Sequence, residues 1–487
     1  MSGLARFPAR LLLAASLATA LAACATVGPN YSGAPSATPA AAGRAAFLRA
    51  NEATVPNAPL ATWWETLNDP QLNHLVTVAL ANSPNIAAAD ARITQARAGL
   101  AANKTAAVPT VGASVSAPYV NIPATLLNPQ ATADRTDMQR YSLGFDASWE
   151  LDLFGGTRRK IEAASARAEA AGAGLADAQV SLSAEVARTY LGLRTRQAAV
   201  AVLEQQKAID AQLVALADQR FRQGTAPMQP ADQARAQLAQ TEAQIASTRT
   251  QVVVLTDQLA VLTGQEPGAL DTELATATPI PLPPAQVAIG DPALLLHNRP
   301  DIRIAERQLA AANADVGTAI ADKFPKISFM GLLGLGGGSV GDMVDPHSLI
   351  GLVLPRITWT IFDGGRTRAK IDQNKGAYAE AEARYRGTVL NALADAEASL
   401  TRFGSDRIEL GKALEAEQQS AHAAGLQQQR FAAGTATRSD ALSADRQRLQ
   451  LSLASINARS ALTSDYIATN KALGLGWQVT PATAERR

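Results

Sequence analysis

The sequence predicts a mainly α-helical protein with a transmembrane β-barrel contribution, in which one helix–strand–strand–long helical hairpin unit occurs twice. Three observations predict this fold class. The chain is rich in alanine, the best helix former, whereas aromatic residues make up only 5% of it. Its second half repeats the residue pattern of its first half. One segment, residues 141–153, alternates between apolar and polar residues as a strand does.

The composition argues against several classes of function. The 44 basic and 43 acidic side chains leave a net charge of +1, without the basic surface that nucleic-acid binding requires. One cysteine and four histidines supply neither an intramolecular disulfide framework nor a paired metal-ligand motif. Residues 336–341 match a dinucleotide-binding spacing, but no helix opens after them, so we interpret them as a strand-to-strand connection. We therefore expect no cofactor, no metal ion, no nucleic-acid partner and no enzymatic activity.

The first 23 residues have the features of a signal peptide. Arg6 and Arg10 precede an apolar run that is too short to span a bilayer. The run ends at residues 21–24 with the letters LAAC, which resemble the bacterial lipobox, so we predict that Cys24 is lipidated. The alternative is an ordinary cleavage site followed by an unmodified cysteine. Position 25 lacks the aspartate of inner-membrane lipoproteins, which favours the outer membrane. Residues 24–62 are then a lipidated, extended N-terminal segment.

Two copies of one pattern occupy most of the chain. Trp149 recurs at Trp359 and Gly224 recurs at Gly434, in both cases 210 positions later. Chance matches would not share one offset over so long a stretch. We place the first structural repeat at 63–279 and the second at 291–477, with a linker at 280–290 between them and a tail at 478–487 after them.

Each repeat is predicted to contain the same elements in the same order. A helix that opens at Pro84 or Pro300 precedes two strands, and a long helical hairpin follows them. The helices of each hairpin carry apolar residues at helical spacing, which indicates that they pair with one another. The strands are expected at about 110–120 and 140–154, and again at about 326–336 and 351–363. The hairpins are expected at about 157–263 and 366–472.

The segment 141–153 carries the membrane argument. Its odd-numbered residues are all apolar, whereas its even-numbered residues are small or polar and include Asp146, Glu150 and Asp152. We expect these three acidic side chains to line a water-filled barrel lumen. One strand of a soluble sandwich would show the same alternation. If the strands cross the membrane, four of them cannot close a barrel, so several chains must share one.

Short motifs along nearly the whole chain support one family. They include Val27-Gly28-Pro29-Asn30-Tyr31, Asp69-Pro70-Gln71-Leu72, Arg299-Pro300-Asp301-Ile302, Phe362-Asp363-Gly364-Gly365 and Leu473-Gly474-Leu475-Gly476-Trp477. In this order they resemble the outer-membrane efflux proteins of the TolC/OprM superfamily, and in particular its lipoprotein branch, which is often called NodT.

The resemblance implies a homotrimer with a 12-stranded outer-membrane barrel and an α-helical periplasmic tunnel. It implies an exit duct that takes small molecules, such as drugs or toxic compounds, from an inner-membrane pump of the resistance-nodulation-division (RND) type through a periplasmic adaptor. The duct is anchored in outer-membrane lipid and extends into the periplasm. Two alternatives are a duct for type I protein secretion and a periplasmic coiled-coil lipoprotein scaffold without a pore.

The resemblance also assigns the two hairpin turns to the periplasmic tip. The residues expected there, and at the contact with the adaptor, are Arg220, Phe221, Gly224 and Thr225 in the first turn and Arg430, Phe431, Gly434 and Thr435 in the second. Asp440 is a candidate gate residue, which a trimer would arrange as a ring of charge. It could equally serve only as the cap of the returning helix. Ser443 occupies the next position of the gate, where the family motif has an acidic residue, and this departure puts a second acidic ring in doubt.

Overall fold

The structure is a computed structural model, and it describes residues 26–57, 60–126 and 134–477. The signal peptide at 1–23, the lipidation site Cys24 and the tail at 478–487 lie outside the described residues. The chain forms two compact units, each assembled from three segments. Unit 1 contains the residues up to Pro35, Ile93–Ala171 and Ala305–Tyr385; unit 2 contains Ser36–Arg92, Gly172–Ile304 and the residues from Arg386 onwards.

Helices dominate the part of the chain that the structure describes. Those of seven or more residues are α1 (Pro70–Asn82), α2 (Pro84–Thr105), α3 (Gly156–Arg222), α4 (Gln229–Leu262), α5 (Pro292–Asn298), α6 (Pro300–Ala321), α7 (Arg366–Ala432) and α8 (Arg438–Ala472). Short helical turns also occur at Pro39–Ala42 and Asp271–Leu274. None of the helices in the described residues is long and apolar enough to cross a bilayer.

The strands of unit 1 are β2 (Thr110–Ser116), β3 (Tyr119–Pro123), β4 (Arg135–Gln139), β5 (Tyr141–Leu151), β7 (Lys326–Gly337) and β8 (Leu349–Thr358). Four of them form an antiparallel sheet in the order β2-β5-β7-β8, and β3 pairs with β4. In unit 2, β1 (Thr54–Val55) and β6 (Val287–Ala288) form a short parallel pair. The segment expected as one strand at about 110–120 is therefore divided between two sheets, because its residues from Tyr119 onwards pair with β4.

Equivalent residues of the two halves make equivalent contacts. Helices α3 and α7 have 67 residues each, and α2 and α6 have 22 each. The indole N–H of Trp149 donates to the carbonyl of Ala107 at 3.1 Å, and that of Trp359 donates to the carbonyl of Lys323 at 3.0 Å. Each tryptophan thus ties the end of a strand to the residues that precede the partner strand.

Aspartates cap the two long helices that follow the strands. Asp152 accepts hydrogen bonds from the amides of Thr157 at 3.0 Å and Arg158 at 2.8 Å. Asp363 accepts from the amide of Thr367 at 2.8 Å and from its hydroxyl at 2.6 Å. These bonds satisfy amide groups that have no partner within the helix. The chain leaves β8 at Thr358, earlier than the expected end at about 363, and Asp363 lies in the cap of α7.

Small side chains form the core of the helical part of unit 1. Ala163, Ala166, Ala310, Ala311 and Ala314 are all buried, and Tyr31 packs against them. Alanine side chains allow helices to approach closely, so this core follows from the alanine-rich composition. The core of unit 2 includes larger side chains: Trp63 and Tyr466 pack edge to face with their ring centroids 6.0 Å apart.

Residues 26–31 form an N-terminal strap across the helices of unit 1. The guanidinium of Arg159, a buried residue, donates to the carbonyl oxygens of Val27 at 3.2 Å and Gly28 at 3.3 Å, and to Asn30 Oδ1 at 2.6 Å. The strap also passes very close to α6: a Cβ added to Gly28 would lie 2.5 Å from the Cα of Gly317. The sequence Val27-Gly28-Pro29-Asn30-Tyr31 is therefore a tightly fitted structural element.

Candidate channel face and helical tip

The first hairpin turn closes α3 in a Schellman arrangement. The amide of Thr225 donates to the carbonyl of Arg220 at 3.0 Å, and the amide of Gly224 donates to that of Phe221 at 2.9 Å. The Thr225 hydroxyl adds a second bond to the Arg220 carbonyl at 3.0 Å. Gly224 has a φ of +70°, a left-handed conformation that favours glycine. The sequence Arg-Phe-x-x-Gly-Thr thus encodes a defined helix end.

The second turn repeats these bonds at the end of α7. The amide of Thr435 donates to the carbonyl of Arg430 at 2.8 Å, and the amide of Gly434 donates to that of Phe431 at 2.9 Å. Gly434 has a φ of +73°. The aromatic side chains of both turns are accessible, with exposed fractions of 43% for Phe221 and 36% for Phe431. Both turns therefore present a phenylalanine that a partner protein can contact.

Asp440 caps the helix that leaves the second turn. Its carboxylate accepts from the amide of Thr437 at 3.0 Å and from its hydroxyl at 2.6 Å, while its own amide donates to that hydroxyl at 3.2 Å. This capping box fixes the start of α8. Hydrogen bonds from Thr437, assisted by the positive charges of Arg220 and Arg430, lower the pKa of the Asp440 carboxyl. The side chain is exposed and carries its charge at neutral pH, so the cap and a charge ring are compatible roles.

Ser443 lies one turn further along α8 and is exposed. Its hydroxyl brings no charge to the helix surface, so the acidic position expected from the family pattern is neutral here. Asp445, two residues on, carries a carboxylate that accepts from the side-chain amide of Gln428 at 2.6 Å. Sequence reasoning missed this contact between α7 and α8, because the two residues are 17 positions apart and belong to no shared motif.

A cavity of about 370 Å³, lined by polar and apolar residues in equal number, lies near the hairpin turns between α3, α4 and α8. Asp210 is buried in its wall and accepts from the Thr241 hydroxyl at 2.7 Å. The Nε of Arg446 lies 3.8 Å from Asp210 Oδ1, which is too long for a hydrogen bond. Sequence reasoning did not single out this charged pair, because its members come from different halves of the chain.

The four-stranded sheet of unit 1 has one fully apolar face. Directly paired residues of an antiparallel sheet lie on the same face, so the register assigns every side chain to one of the two faces. This apolar face carries Val111, Ala113 and Val115 of β2, the odd-numbered residues of β5, the odd-numbered residues of β7, and Leu349, Gly351, Val353, Pro355 and Ile357 of β8. Several of these side chains are highly exposed, including Phe145 at 61% and Val353 at 72%.

The opposite face carries the four charged residues of these four strands: Asp146, Glu150, Lys326 and Arg356. Asp146 and Glu150 lie on this polar face as expected from the alternation, and both are exposed. Asp152 does not belong to this set, because it follows the last residue of β5 and its carboxylate caps α3. The sequence alone could not distinguish these two roles, because Asp152 continues the alternation of apolar and polar residues beyond the end of the strand.

No group of histidine, cysteine, aspartate and glutamate side chains in the described ranges could hold a metal ion. The features found here are instead surfaces: a sheet with an apolar and a charged face, and two exposed helical turns. Long helical hairpins joined to such a sheet define a class of protein, the outer-membrane channels whose helices continue from their strands.

The chain belongs to the outer membrane efflux protein family, whose model matches residues 75–265 and 292–475. It is 30% identical over 428 residues to the pyoverdine export outer membrane protein OpmQ of Pseudomonas aeruginosa, covering 85% of this chain and 87% of that protein. It is 28% identical over 379 residues to nodulation protein T of Rhizobium leguminosarum bv. trifolii, covering 77% of this chain and 78% of that protein.

The fold agrees with solved channels. The structure of the outer-membrane channel OprN superposes with a TM-score of 0.83 and 32% identity, covering 93% of this chain and 99% of that one. The family, the fold class and the outer-membrane location expected from the sequence are therefore confirmed. The chain is an outer-membrane efflux channel protein, and the relatives that it resembles are channels and efflux components rather than enzymes.

Proposed function

We propose that this protein is the homotrimeric exit duct of a tripartite efflux system. Three copies of the four-stranded sheet close a twelve-stranded barrel in the outer membrane. A periplasmic adaptor joins the duct to an inner-membrane pump of the RND type, and small molecules leave the cell through it. The protein itself catalyses no reaction and needs no cofactor.

The observation that carries this proposal is the four-stranded sheet, which has an apolar face and two free edges. Among the residues that the structure describes, strands β2 and β8 each pair on one side only. An unpaired strand edge is not tolerated in hydrocarbon, because its amide and carbonyl groups find no partner there. Pairing of β8 with β2 of a neighbouring copy satisfies both edges. The apolar face then faces lipid and the charged face faces the channel.

The relatives support small molecules as the cargo. OpmQ is named for pyoverdine export, and a relative from Pseudomonas putida, 28% identical over 421 residues, is named as the outer membrane protein of a toluene efflux pump. These cargoes favour small-molecule efflux over type I protein secretion for this chain. A scaffold without a pore is not favoured, because it gives no role to the exposed apolar face of the sheet.

The tip is proposed to contact the adaptor and to carry the gate. Phe221 and Phe431 supply apolar contact area at the two turns, and Arg220 and Arg430 supply charge. Adaptor binding opens the gate to the extent that the adaptor prefers the open arrangement of the hairpins. Asp440 contributes a ring of three carboxylates, whereas Ser443 contributes none. Lipidation of Cys24 anchors the N-terminus of each copy in the outer membrane.

An efflux assay tests the proposal in cells that lack their own outer-membrane channel but contain a periplasmic adaptor and an RND-type pump from the organism that makes this protein. We expect the wild-type protein to restore export of a fluorescent substrate. The double variant Phe221→Ala/Phe431→Ala is expected to restore less than half of that export while the trimer remains intact. Ile408→Ala, which shortens an exposed side chain of α7 outside the turns, is the matched control. Full export by the double variant would rule out adaptor contact through these phenylalanines.

A further inference from the structure

The charged face of the four-stranded sheet is divided into two halves of different chemistry. The register aligns its residues in rows across the strands β2, β5, β7 and β8. Three successive rows read Thr110, Ser148, Met330, Leu354; then Gly112, Asp146, Leu332, Leu352; then Ser114, Gly144, Gly334, Ile350. The β2–β5 half is small or polar in every row, whereas the β7–β8 half is apolar apart from one glycine.

The five apolar side chains of the β7–β8 half form what we call the inner apolar stripe. They are Met330, Leu332, Ile350, Leu352 and Leu354, with exposed fractions of 54%, 36%, 43%, 45% and 46%. All five lie on the same face as the charged residues of the sheet, so the pairing register excludes them from the lipid-facing side. Sheet strands of a water-filled channel alternate apolar and polar residues, so a continuous inner stripe departs from that pattern.

Charges flank the stripe at one end. The next row towards the start of β7 contains Glu150, Ser328 and Arg356, and Lys326 follows in the row after it. Asp146 lies beside the stripe in the row of Leu332 and Leu352. A molecule that lies along this face therefore contacts the inner apolar stripe and has charged residues of both signs beside it, in the same row or in the next two rows. This arrangement complements an amphiphile, whose apolar part and charged part need different surroundings.

We propose that the inner apolar stripe binds the apolar part of transported amphiphiles, while the adjacent charged residues contact their polar groups. This inference rests on the proposed function, because only a sheet that faces the channel meets the cargo. Contact with the apolar part of a ligand removes these exposed apolar side chains from water, and this burial is the driving force for binding. The stripe occurs once per chain, so a trimer presents three of them.

The experiment uses the purified, full-length protein in planar lipid bilayers, with tetramethylammonium and tetrabutylammonium as probes. Both carry one positive charge, but only the second has long alkyl groups. We expect tetrabutylammonium to reduce the ionic current of the wild-type channel at much lower concentration than tetramethylammonium. The double variant Leu332→Ala/Leu352→Ala is expected to raise the half-blocking concentration of tetrabutylammonium about tenfold and to leave that of tetramethylammonium unchanged.

The matched control is Leu333→Ala/Val353→Ala, which makes similar truncations on the opposite face of the same two strands. It should not alter block by either ion. A wild-type channel that conducts but is blocked equally by both ions, or a stripe variant that behaves like the control, would overturn the inference. A purified protein that does not assemble as a trimer would instead contradict the proposed function, so the two failures are distinguishable.

Discussion

Substitution of Gly28 by alanine tests the fit of the N-terminal strap. Gly28 has a φ of +88°, and its added Cβ would lie 2.5 Å from the Cα of Gly317. Gly33, in the next part of the chain, has a φ of +110° but no atom within 4 Å of an added Cβ. Both substitutions carry the backbone strain of a left-handed residue, about 1–2 kcal/mol. Only Gly28→Ala also forces two backbones apart.

The magnitude follows from the three bonds that the carbonyl groups of residues 27–29, at and beside the substituted position, would lose on moving away. Arg159 donates to the carbonyls of Val27 and Gly28, and Asn313 donates to that of Pro29 at 3.0 Å. At about 1 kcal/mol for each of these bonds, the strap loses about 3 kcal/mol beyond the backbone strain. Since 1.4 kcal/mol corresponds to a factor of ten, its opening equilibrium increases by about 100-fold.

Hydrogen exchange measures this opening at one defined amide. The Val27 amide donates to the carbonyl of Phe154 at 3.1 Å, so it is protected while the strap is in place. We expect Gly28→Ala to accelerate its exchange about 100-fold more than Gly33→Ala does, in the detergent-solubilised protein. Equal exchange in the two variants would refute the reasoning that close backbone contact holds the strap.

Three further predictions concern the tip, a partly buried acid and the repeat. Asp440→Asn should lower the cation preference of the channel in bilayer recordings without loss of the trimer, and Ser443→Asp should raise it; an unchanged preference in both would remove the charge ring from the account. Burial, together with the charges of Asp465 and Glu409, raises the pKa of Asp406 to about 6. The folded protein therefore favours the protonated Asp406 carboxyl, and this stabilisation is fully present below the ordinary pKa of aspartate and is lost as the pH rises through about 6. The melting temperature of the wild type should fall between about pH 4 and pH 6, and that of Asp406→Asn should change less over the same range. Trp149→Phe and Trp359→Phe each remove one hydrogen bond and should each lower the free energy of unfolding by about 1 kcal/mol or more; no loss in either variant would argue against a stabilising role for that bond.

Features encoded by neighbouring residues were predictable from the sequence. The Arg-Phe-x-x-Gly-Thr turns are local, because a glycine in the left-handed region and the bonds around it lie within six residues. The strand at 141–151 was also predictable, because apolar and polar residues alternate along it without interruption. Gly224 and Gly434 therefore lie in the hairpin turns, as the sequence predicts.

Features that depend on distant residues were not predictable. The β3–β4 pairing joins Tyr119 to Gln139, and neither segment has an alternation of apolar and polar residues strong enough to predict a strand. The approach of Asp210 to Arg446 depends on which helices become neighbours in three dimensions. Asp152 was misplaced for a different reason: a helix cap and a strand residue both favour aspartate at that position, and only the hydrogen bonds to Thr157 and Arg158 separate them.

The most direct test of the shared barrel is the mass of the protein after extraction from the outer-membrane fraction. Light scattering with the detergent contribution subtracted counts the chains in one particle. A shared twelve-stranded barrel requires three chains, each slightly below the 50.7 kDa of the full-length sequence once the signal peptide is removed. A single chain that leaves the membrane when its lipid is removed would contradict the shared barrel and with it the proposed duct.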